Sequence, residues 1–429
     1  MSPVATAEAV AVAVAEAHRR EWAFVLAATV RLTRDIDLAE ECVQHAYAKA
    51  LSSWPERGIP GRAGAWLTTV ARRRALDLAR HAATQRRRLP LLLGEDMASE
   101  GAGAERLGGS DPWSRVGEEP EIADDRLRLV FVCCHPALSE EAKVALTLRL
   151  VCGLSTVEVA RAFLVSEPTM AARITRAKKK IAAAGIPFQV PASADLPERL
   201  DAVLSVVHLV YTTGHTAPSG ADLVRRDLVA RACDLARMLW QLLPGEAEVA
   251  ALLALVLLSD ARTPGRVDAD GRLVLLADQD RSRWDRRAIA EGVRLLRLSD
   301  GAGEPGRFAL MASIAAIHSC APTFADTDWA QLVRLYDRLA QRWPSPVVAL
   351  NRAVAIGYSE GPSAGLAALE PLAGEPMLAA YHYLPSARAE LLRGVGRIGE
   401  ARCAYEEALA LATNDVEREH LAGRLAQLG

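Results

Sequence analysis

The sequence predicts an all-α protein, because apolar residues recur at helical spacing along most of its 429 residues. Residues Leu154–Ile181 have the pattern of two short helices joined by a turn. In Asp35–Trp54 and again in Trp329–Trp343, apolar residues follow one another in steps of three and one, which places them on one helix face. Pro344 then ends the last of these helices. Helices with one apolar face pack into bundles, so the repetition of this pattern indicates the fold class.

The stretch Leu154–Ile181 predicts a helix-turn-helix. Ser155–Glu158 reads S-T-V-E, a capping box that begins the first helix. Ser166 can cap the second helix, and Pro168 is tolerated in its first turn. The second helix has an apolar stripe at steps of four, three and four, formed by Met170, Ile174, Ala177 and Ile181. Its other faces are polar and basic, as a helix that lies in the DNA major groove requires.

In a helix-turn-helix, early residues of the second helix contact base edges and later cations contact phosphates. The sequence therefore predicts DNA binding by Glu167, Thr169, Met170, Arg173, Arg176, Lys179 and Lys180. Among these, Thr169, Met170 and Arg173 are expected nearest the bases. The alternative is a pair of amphipathic helices with a solvated basic end.

Two helices upstream differ sharply in charge. The helix in Asp35–Trp54 has a polar and acidic face opposite its apolar residues, formed by Glu40, Glu41, Gln44 and His45. After a Gly/Pro loop at Pro55–Gly64, the stretch Ala65–Arg88 holds seven arginines and one acid, Asp77. Such an excess of cations on one helix is typical of nucleic-acid binding.

The order of these parts resembles the extracytoplasmic-function (ECF) sigma factors of bacterial RNA polymerase. Residues 14–88 resemble sigma region 2, and residues 124–185 resemble sigma region 4. The string FVCCHPALSEEAKVALTLRLVCGLSTVEVARAFLV at Phe131–Val165, followed by a long C-terminal extension, is similar to an ECF subgroup. That subgroup carries a tetratricopeptide (TPR)-like domain after region 4. The resemblance covers about the first 185 residues.

The resemblance implies a protein that binds RNA polymerase core and promoter DNA and performs no bond chemistry. Contacts to the polymerase are expected from Asp37, Glu40, Glu41, Gln44 and His45. Contacts to the −10 element are expected from the loop and the basic helix, through Arg57, Arg62, Arg72, Arg73, Arg74 and Arg80. The helix-turn-helix is expected to read the −35 element. His45 departs from the acid that is common in the family, and Arg73 departs from a frequent Asn, so no promoter sequence is implied.

The domain organisation expected from these patterns has five parts. They are sigma region 2 (1–88), an acidic flexible linker (89–123), sigma region 4 (124–185), a helical extension (186–300) and a TPR-like helical domain (301–429). The linker is rich in acids. These acids mimic phosphate in polymerase channels, or the linker is only a solvated tether, and both alternatives stay open.

The C-terminal extension reads as almost wholly helical. Its helix pair at 387–394 and 398–412 resembles a TPR unit, with Ala401, Tyr405 and Ala408 at the small, aromatic and small positions. Thr413 departs from the Pro that usually ends the repeat. Stacked helix pairs present concave surfaces, so a protein or peptide partner is expected for this part of the chain.

Composition and motifs argue against several other classes. No apolar run reaches the roughly 18 residues of a membrane helix, and the N-terminal apolar stretch is short and interrupted by Glu8 and Glu16. Seven scattered cysteines without a CxxC motif predict a reducing cytoplasm. Adjacent cysteines such as Cys133 and Cys134 cannot easily ligate one tetrahedral ion together. Neither a membrane contact nor a metal or cofactor is expected.

The acids of the string at Asp260–Arg286 suggest a calcium-binding loop. Asp268, Asp270 and Gly271 match the beginning of an EF-hand, but the remaining ligands are missing. Arginines alternate with these acids, which favours ion pairs around a turn. We therefore expect a structural role for the string.

These observations favour an ECF-type sigma factor whose extension regulates its activity through protein contacts. One alternative is a helix-turn-helix regulator that works without polymerase and carries a TPR-like sensor domain. Another is a TPR scaffold with incidental basic helices. Region 2 distinguishes them, because a plain regulator has no need for the Glu41 and Gln44 face or for a second basic helix.

Overall fold

The computed structural model describes residues 6–92, 125–163, 165–192, 194–217, 219–299 and 303–428. These residues form eighteen α-helices and no extended strand, which confirms the predicted all-α class. Most of the expected acidic linker lies outside the described residues. The chain divides into two compact units, Met1–Val203 and Leu204–Gly429, and the division falls within one helix.

The first unit begins with three helices that pack against one another. They are α1 (Ala7–Thr33), α2 (Ile36–Arg57) and α3 (Ala63–Leu92). Arg34 turns the chain with a left-handed backbone (φ 53°), and Asp35 caps α2 by accepting from the Leu38 amide at 3.0 Å. Of the apolar residues predicted for the buried face of α2, Val43, Ala46 and Trp54 are in the core at 0–1% exposure, whereas Leu51 is 51% exposed.

Four more helices complete the first unit. They are α4 (Asp125–Cys133), α5 (Glu140–Leu146), α6 (Thr156–Ala162) and α7 (Glu167–Ala183), and a π-helical turn at Thr147–Val151 continues α5. The expected capping box forms: the Glu158 amide donates to Ser155 Oγ at 3.2 Å, and the Ser155 amide donates to Glu158 Oε2 at 2.7 Å. The apolar stripe of α7 is buried against this group.

The two halves of the first unit pack together, although the sequence suggested separate domains. Helix α1 contacts α4 and the π-helical turn, and Trp22 Nε1 donates to the Leu150 carbonyl at 3.0 Å. Gly153 has φ +72°, and a Cβ added to it would lie 2.9 Å from the Trp22 ring and 3.1 Å from His18. Only a glycine lets the backbone approach α1 so closely here.

The second unit is built around one fully apolar helix. Its first helices are α8 (Leu196–His215), α9 (Arg226–Leu242), α10 (Ala247–Asp260), α11 (Arg286–Ser299) and α12 (Arg307–Cys320). Helix α10 is buried along almost its whole length and packs against α9, α11 and α12. Between α10 and α11 the chain makes two 3₁₀ turns, Thr263–Gly265 and Arg281–Arg283.

The remaining helices follow one another, and consecutive members pack together. They are α13 (Trp329–Arg342), α14 (Pro346–Glu360), α15 (Pro362–Leu369), α16 (Tyr383–Gly394), α17 (Ile398–Leu411) and α18 (Asp415–Ala426). The helix pair expected at 387–394 and 398–412 corresponds to α16 and α17. Ala401, Tyr405 and Ala408 are buried in the core that these helices share.

A buried asparagine closes the second unit. Asn414 has no exposed surface, and its Nδ2 donates to the carbonyls of Ala217 (3.2 Å) and Asp222 (2.9 Å). Its Oδ1 accepts from the amides of Val416 and Glu417, which caps α18. One side chain therefore ties the beginning of the last helix to the loop that precedes α9.

Substitution of Gly153 by Ala tests the tight contact between α1 and the turn after the π-helix. The added methyl group meets the Trp22 ring, and such overpacking costs about 1–3 kcal/mol. We expect faster hydrogen exchange in peptides that contain Trp22 and Leu150, measured on the full chain.

Gly185→Ala is the matched control. Gly185 also has positive φ (+58°), but nothing lies within 4 Å of an added Cβ, so this variant has only the backbone strain. Equal effects of the two substitutions on hydrogen exchange at Trp22 would contradict a clash between the added methyl group and the Trp22 ring.

Candidate polymerase and nucleic-acid interface

One face of α2 is polar and open to solvent. Glu41, Gln44 and His45 are exposed there, on the side opposite the buried Val43 and Ala46. Glu41 makes one ion pair, at 3.3 Å to Arg74 of α3, in which Glu41 remains largely solvated and Arg74 is half-buried. Such exposed pairs are weak, so this face is available to a partner.

Two other acids that were expected on the same face are occupied. Lys178 of α7 donates to Asp37 Oδ1 at 2.7 Å and also contacts Glu40 Oε2. Arg149 lies 2.8 Å from Glu40 Oε1, an ion pair without hydrogen-bond geometry. Glu40 itself is only 5% exposed. The first unit therefore holds its helix-turn-helix against its own acidic helix.

The carboxylates at this contact favour the ionised form of Lys178. Burial by itself lowers the pKa of Lys178, but the neighbouring Glu40 and Asp37 outweigh it, and the pKa is raised above its ordinary value. Removal of either cation would leave Glu40 buried with one partner fewer, which is costly. Sequence reasoning missed Lys178 and Arg149 as partners of α2, because they lie more than 100 residues from it in the chain.

The arginines expected at the −10 element lie on and just before α3. Five of the six are exposed, namely Arg57, Arg62, Arg72, Arg73 and Arg80. Arg74 is half-buried by its contact with Glu41, and Arg80 pairs with Asp77 at 3.5 Å on the surface. The helix thus presents a cationic surface, and the side chains beyond His81 lie outside the described residues.

The helix-turn-helix presents a polar and basic surface along α7. Glu167, Thr169, Arg176, Lys179 and Lys180 are exposed. Arg173 is half-buried: its guanidinium lies 3.4 Å from Glu141 and 5.6 Å above the Phe163 ring. It can reach DNA only after it leaves those partners.

One residue of the expected DNA surface belongs to the core. Met170 has no exposed surface and packs with the buried stripe of α7. The prediction that Met170 lies near the bases was wrong, because helical spacing puts this residue on the same face as Ile174 and Ala177. Thr169 and Arg173 lie on the side of α7 that faces away from this buried stripe.

Two groups of aromatic and sulfur residues serve packing. Trp54 is 1% exposed and meets Trp66 edge-on at 5.5 Å, so it belongs to the core. Cys133 and Cys134 are buried thiols. Burial raises the pKa of Cys134 to about 12, so its thiol stays protonated.

Family models match three successive stretches of the chain. Residues 18–85 match "Sigma-70 region 2", residues 128–181 match "Sigma-70, region 4", and residues 199–300 match a "Family of unknown function (DUF6596)". The first two stretches contain the acidic face of α2, the basic α3 and the helix-turn-helix. The chain belongs to the ECF sigma factors.

Curated relatives of this sigma factor divide into two kinds. An uncharacterized protein of Rhizobium meliloti (strain 1021) is 43% identical over 404 residues, which cover 94% of this chain and 93% of that protein. The probable ECF RNA polymerase sigma factor SigI of Mycobacterium tuberculosis is 29% identical over 168 residues, in both the CDC 1551 and H37Rv strains. That match covers 39% of this chain and 54% of SigI. No solved structure matches the chain.

Two searches of the described residues complete the site analysis. No described helix of this sigma factor is long and apolar enough to cross a membrane. In the same ranges, no three His, Cys, Asp or Glu side chains are grouped so that they could hold a metal ion.

Arg176→Gln tests whether α7 contacts phosphates. One lost phosphate contact reduces the slope of log K against log salt concentration by about 0.9, with little change in sequence preference. The measurement is fluorescence anisotropy of random-sequence duplex DNA across a salt series. Arg287→Gln, an exposed arginine of α11, is the charge-matched control and should keep the wild-type slope. An unchanged slope for Arg176→Gln would remove this residue from the DNA surface.

Proposed function

We propose that this ECF sigma factor binds RNA polymerase core through α2 and directs promoter-specific initiation through α3 and α7. The exposed face of Glu41, Gln44 and His45 meets the polymerase, with Asp37 and Glu40 at its edge. The arginines of α3 engage the −10 element, and α7 enters the major groove of the −35 element. The observation that carries the proposal is that both sigma regions of one unit present exposed cations beside an exposed acidic face.

The closed first unit belongs to the free protein in this proposal. The −35 and −10 elements are separated by about 25 base pairs, or about 85 Å of B-DNA at 3.4 Å per step. Lys178 of α7 cannot reach one element while it contacts Asp37 and Glu40 beside the other DNA-binding helix. Polymerase binding to α2 competes for these acids, so it releases region 4 as it captures region 2.

Glu41→Arg tests the polymerase contact. A reversed charge against a basic docking surface should weaken binding to core by about tenfold or more. The readout is comigration of the full chain with polymerase core, together with run-off transcription from a promoter that responds to the wild-type protein. Glu56→Arg places the same charge change on an exposed residue near the end of α2 and should keep both activities.

The same experiment addresses the alternative of a regulator that works without polymerase. Such a regulator would bind promoter DNA and act on transcription by holoenzyme, and it would give no run-off product with core alone. A wild-type chain that fails to comigrate with core, or a Glu41→Arg variant with full run-off activity, would favour that alternative.

We further propose that the C-terminal extension regulates the sigma part through protein contacts. Its last helices form TPR-like pairs, and a groove runs beside α15, α16 and α17. The groove is lined by apolar and charged side chains that include Leu366, Leu369, Leu384, Arg388, Leu392 and Arg397. Apolar side chains rimmed by charges suit a peptide or a folded partner rather than a small substrate.

Removal of the extension tests this regulatory role. A chain that ends at Val203 keeps the hydrogen bond from Arg199 to the Phe131 carbonyl (2.8 Å), so the first unit retains this contact. We expect promoter-specific transcription in cells, or its response to the inducing condition, to differ from that of the full chain. Circular dichroism of the shortened chain confirms that its helices form. If transcription and its control are both unchanged, the extension has no regulatory role.

A further inference from the structure

Three arginines of the second unit are enclosed without a carboxylate partner. They lie in the DUF6596 match: Arg262 follows α10, Arg266 follows the first 3₁₀ turn, and Arg281 begins the second. Arg266 donates to the His215 carbonyl and, at 3.2 Å, to Thr216 Oγ1. The guanidinium of Arg262 makes no hydrogen bond or ion pair with any described residue, and its Nε has no accessible surface.

Arg281 is held in place by backbone and aromatic contacts. Its Nη1 donates to the carbonyls of His318 (3.0 Å) and Ala321 (2.6 Å), and its guanidinium lies 4.5 Å above the Trp284 ring. Its Nη2 is buried and has no partner among the described residues. These contacts fix the orientation of the guanidinium and leave one of its donor groups unused.

The described acids of the surrounding sequence form no ion pair with these three arginines. Asp268 accepts from the amides of Asp270 and Arg272, each at 2.9 Å, and Asp280 accepts from the Ser282 amide at 2.9 Å. Asp285 likewise caps α11. The acids of this string therefore hold turns, and of its arginines only Arg272 pairs with an acid within it, at 3.3 Å to Asp270. Ion pairs around a turn were expected in Asp260–Arg286, and the pair of Arg272 with Asp270 is of this kind.

The nearest acids outside those turns are already engaged. Asp260 accepts from Thr263 Oγ1 at 3.1 Å, and Asp326 accepts from Thr323. Glu417 accepts from the Tyr383 hydroxyl and lies 3.3 Å from His382 Nε2. None of these carboxylates forms an ion pair with Arg262, Arg266 or Arg281, although the charges of Glu417 and Asp326 act to raise the pKa of Arg266 and Arg281.

The histidines beside these arginines stay neutral. Burial, together with the charges of Arg266 and Arg262, lowers the pKa of His215 to about 2. Burial, together with Arg262 and Arg281, lowers the pKa of His318 to about 3. His215 Nδ1 is bonded to the Tyr211 hydroxyl at 3.0 Å, whereas His318 Nδ1 is buried without a partner. Hence the arginines have neutral imidazoles as neighbours, and one of these, His318, has an unused ring nitrogen.

Buried polar groups in folded proteins nearly always have partners. Here Arg262 Nε, Arg281 Nη2 and His318 Nδ1 lack one, and Arg281 is joined to His318 by the 3.0 Å hydrogen bond to its carbonyl. The charges of Arg262 and Arg281 both act to lower the pKa of His318. Trp284 beneath Arg281 has an unpartnered Nε1 as well. Gly265 approaches this indole so closely that an added Cβ would lie 2.8 Å from Nε1. A set of fixed, unused donors beside arginines that form no ion pair is the arrangement expected of an anion site.

We propose that Arg262, Arg266, Arg281 and His318 bind a small anion of the phosphate class. Planar guanidinium groups match the oxygens of a phosphate group, and two or three positive charges suit a dianion. Because Arg262, Arg266 and Arg281 are partly buried, the site takes a small molecule or a terminal phosphate group rather than the backbone of a nucleic acid. This binding makes the DUF6596 part a ligand-responsive module, independently of how the sigma part contacts DNA.

The test uses the full chain with inorganic phosphate, pyrophosphate or citrate, each compared with sodium chloride at equal ionic strength. Ligand at about 100 times its Kd should raise the Tm of the second unit by about 5 °C. Hydrogen exchange should slow in peptides that cover 260–286. Citrate distinguishes a carboxylate ligand from a phosphate ligand, and an effect of citrate alone would overturn the phosphate assignment.

Variants separate this site from other effects of phosphate. Phosphate stabilises many proteins by exclusion from their surface, and the basic α3 and α7 also attract it. The decisive quantity is therefore the difference between the wild type and Arg262→Gln, which should lose the Tm shift and the slower exchange. Arg287→Gln should keep both, and Arg262→Lys should keep part of the shift. Equal responses of the wild type and Arg262→Gln, or no slowing at 260–286 in the wild type, would overturn the proposal.

Discussion

The first unit depends on Glu40, a carboxylate that lies almost wholly out of solvent between two cations. Arg149 and Lys178 both belong to the half of the unit that contains the helix-turn-helix, whereas Glu40 lies on the acidic helix of region 2. A buried charge is tolerated only while its partners remain in place. The ion pairs therefore hold the two sigma regions together, and any protein that takes over Asp37 and Glu40 also loosens α7.

The sequence predicted the helices of this protein well, because their signals are local. The capping box at Ser155 and Glu158, the apolar steps of α2 and the stop at Pro344 each depend on residues within a few positions of one another. The contact between Lys178 and Glu40 left no such signal, since residues 138 positions apart meet only through packing. Met170 shows the opposite error. Its place early in the second helix of the helix-turn-helix predicted a base contact, although the helical spacing of the apolar stripe already predicted that it is buried.

Arginine has two distinct uses in this chain. On α3 and α7 the described guanidinium groups are mostly exposed, where water and salt screen them. Around Arg262 they are partly buried, and they are bonded to carbonyls or have no partner among the described residues. Counting arginines in Asp260–Arg286 could not separate these uses, because the acids beside them read as partners and instead form turns.

Asn414 links residues that lie 192 positions apart, because its amide bonds the carbonyl of Asp222. During synthesis, helices α9 to α17 are made before Asn414, so the hydrogen bonds from this side chain to the loop before α9 form only at the end of translation. The first unit is complete long before that moment. A nascent chain therefore has its promoter-reading part assembled while the remainder is still open, and contacts of such long range make the late closure slow.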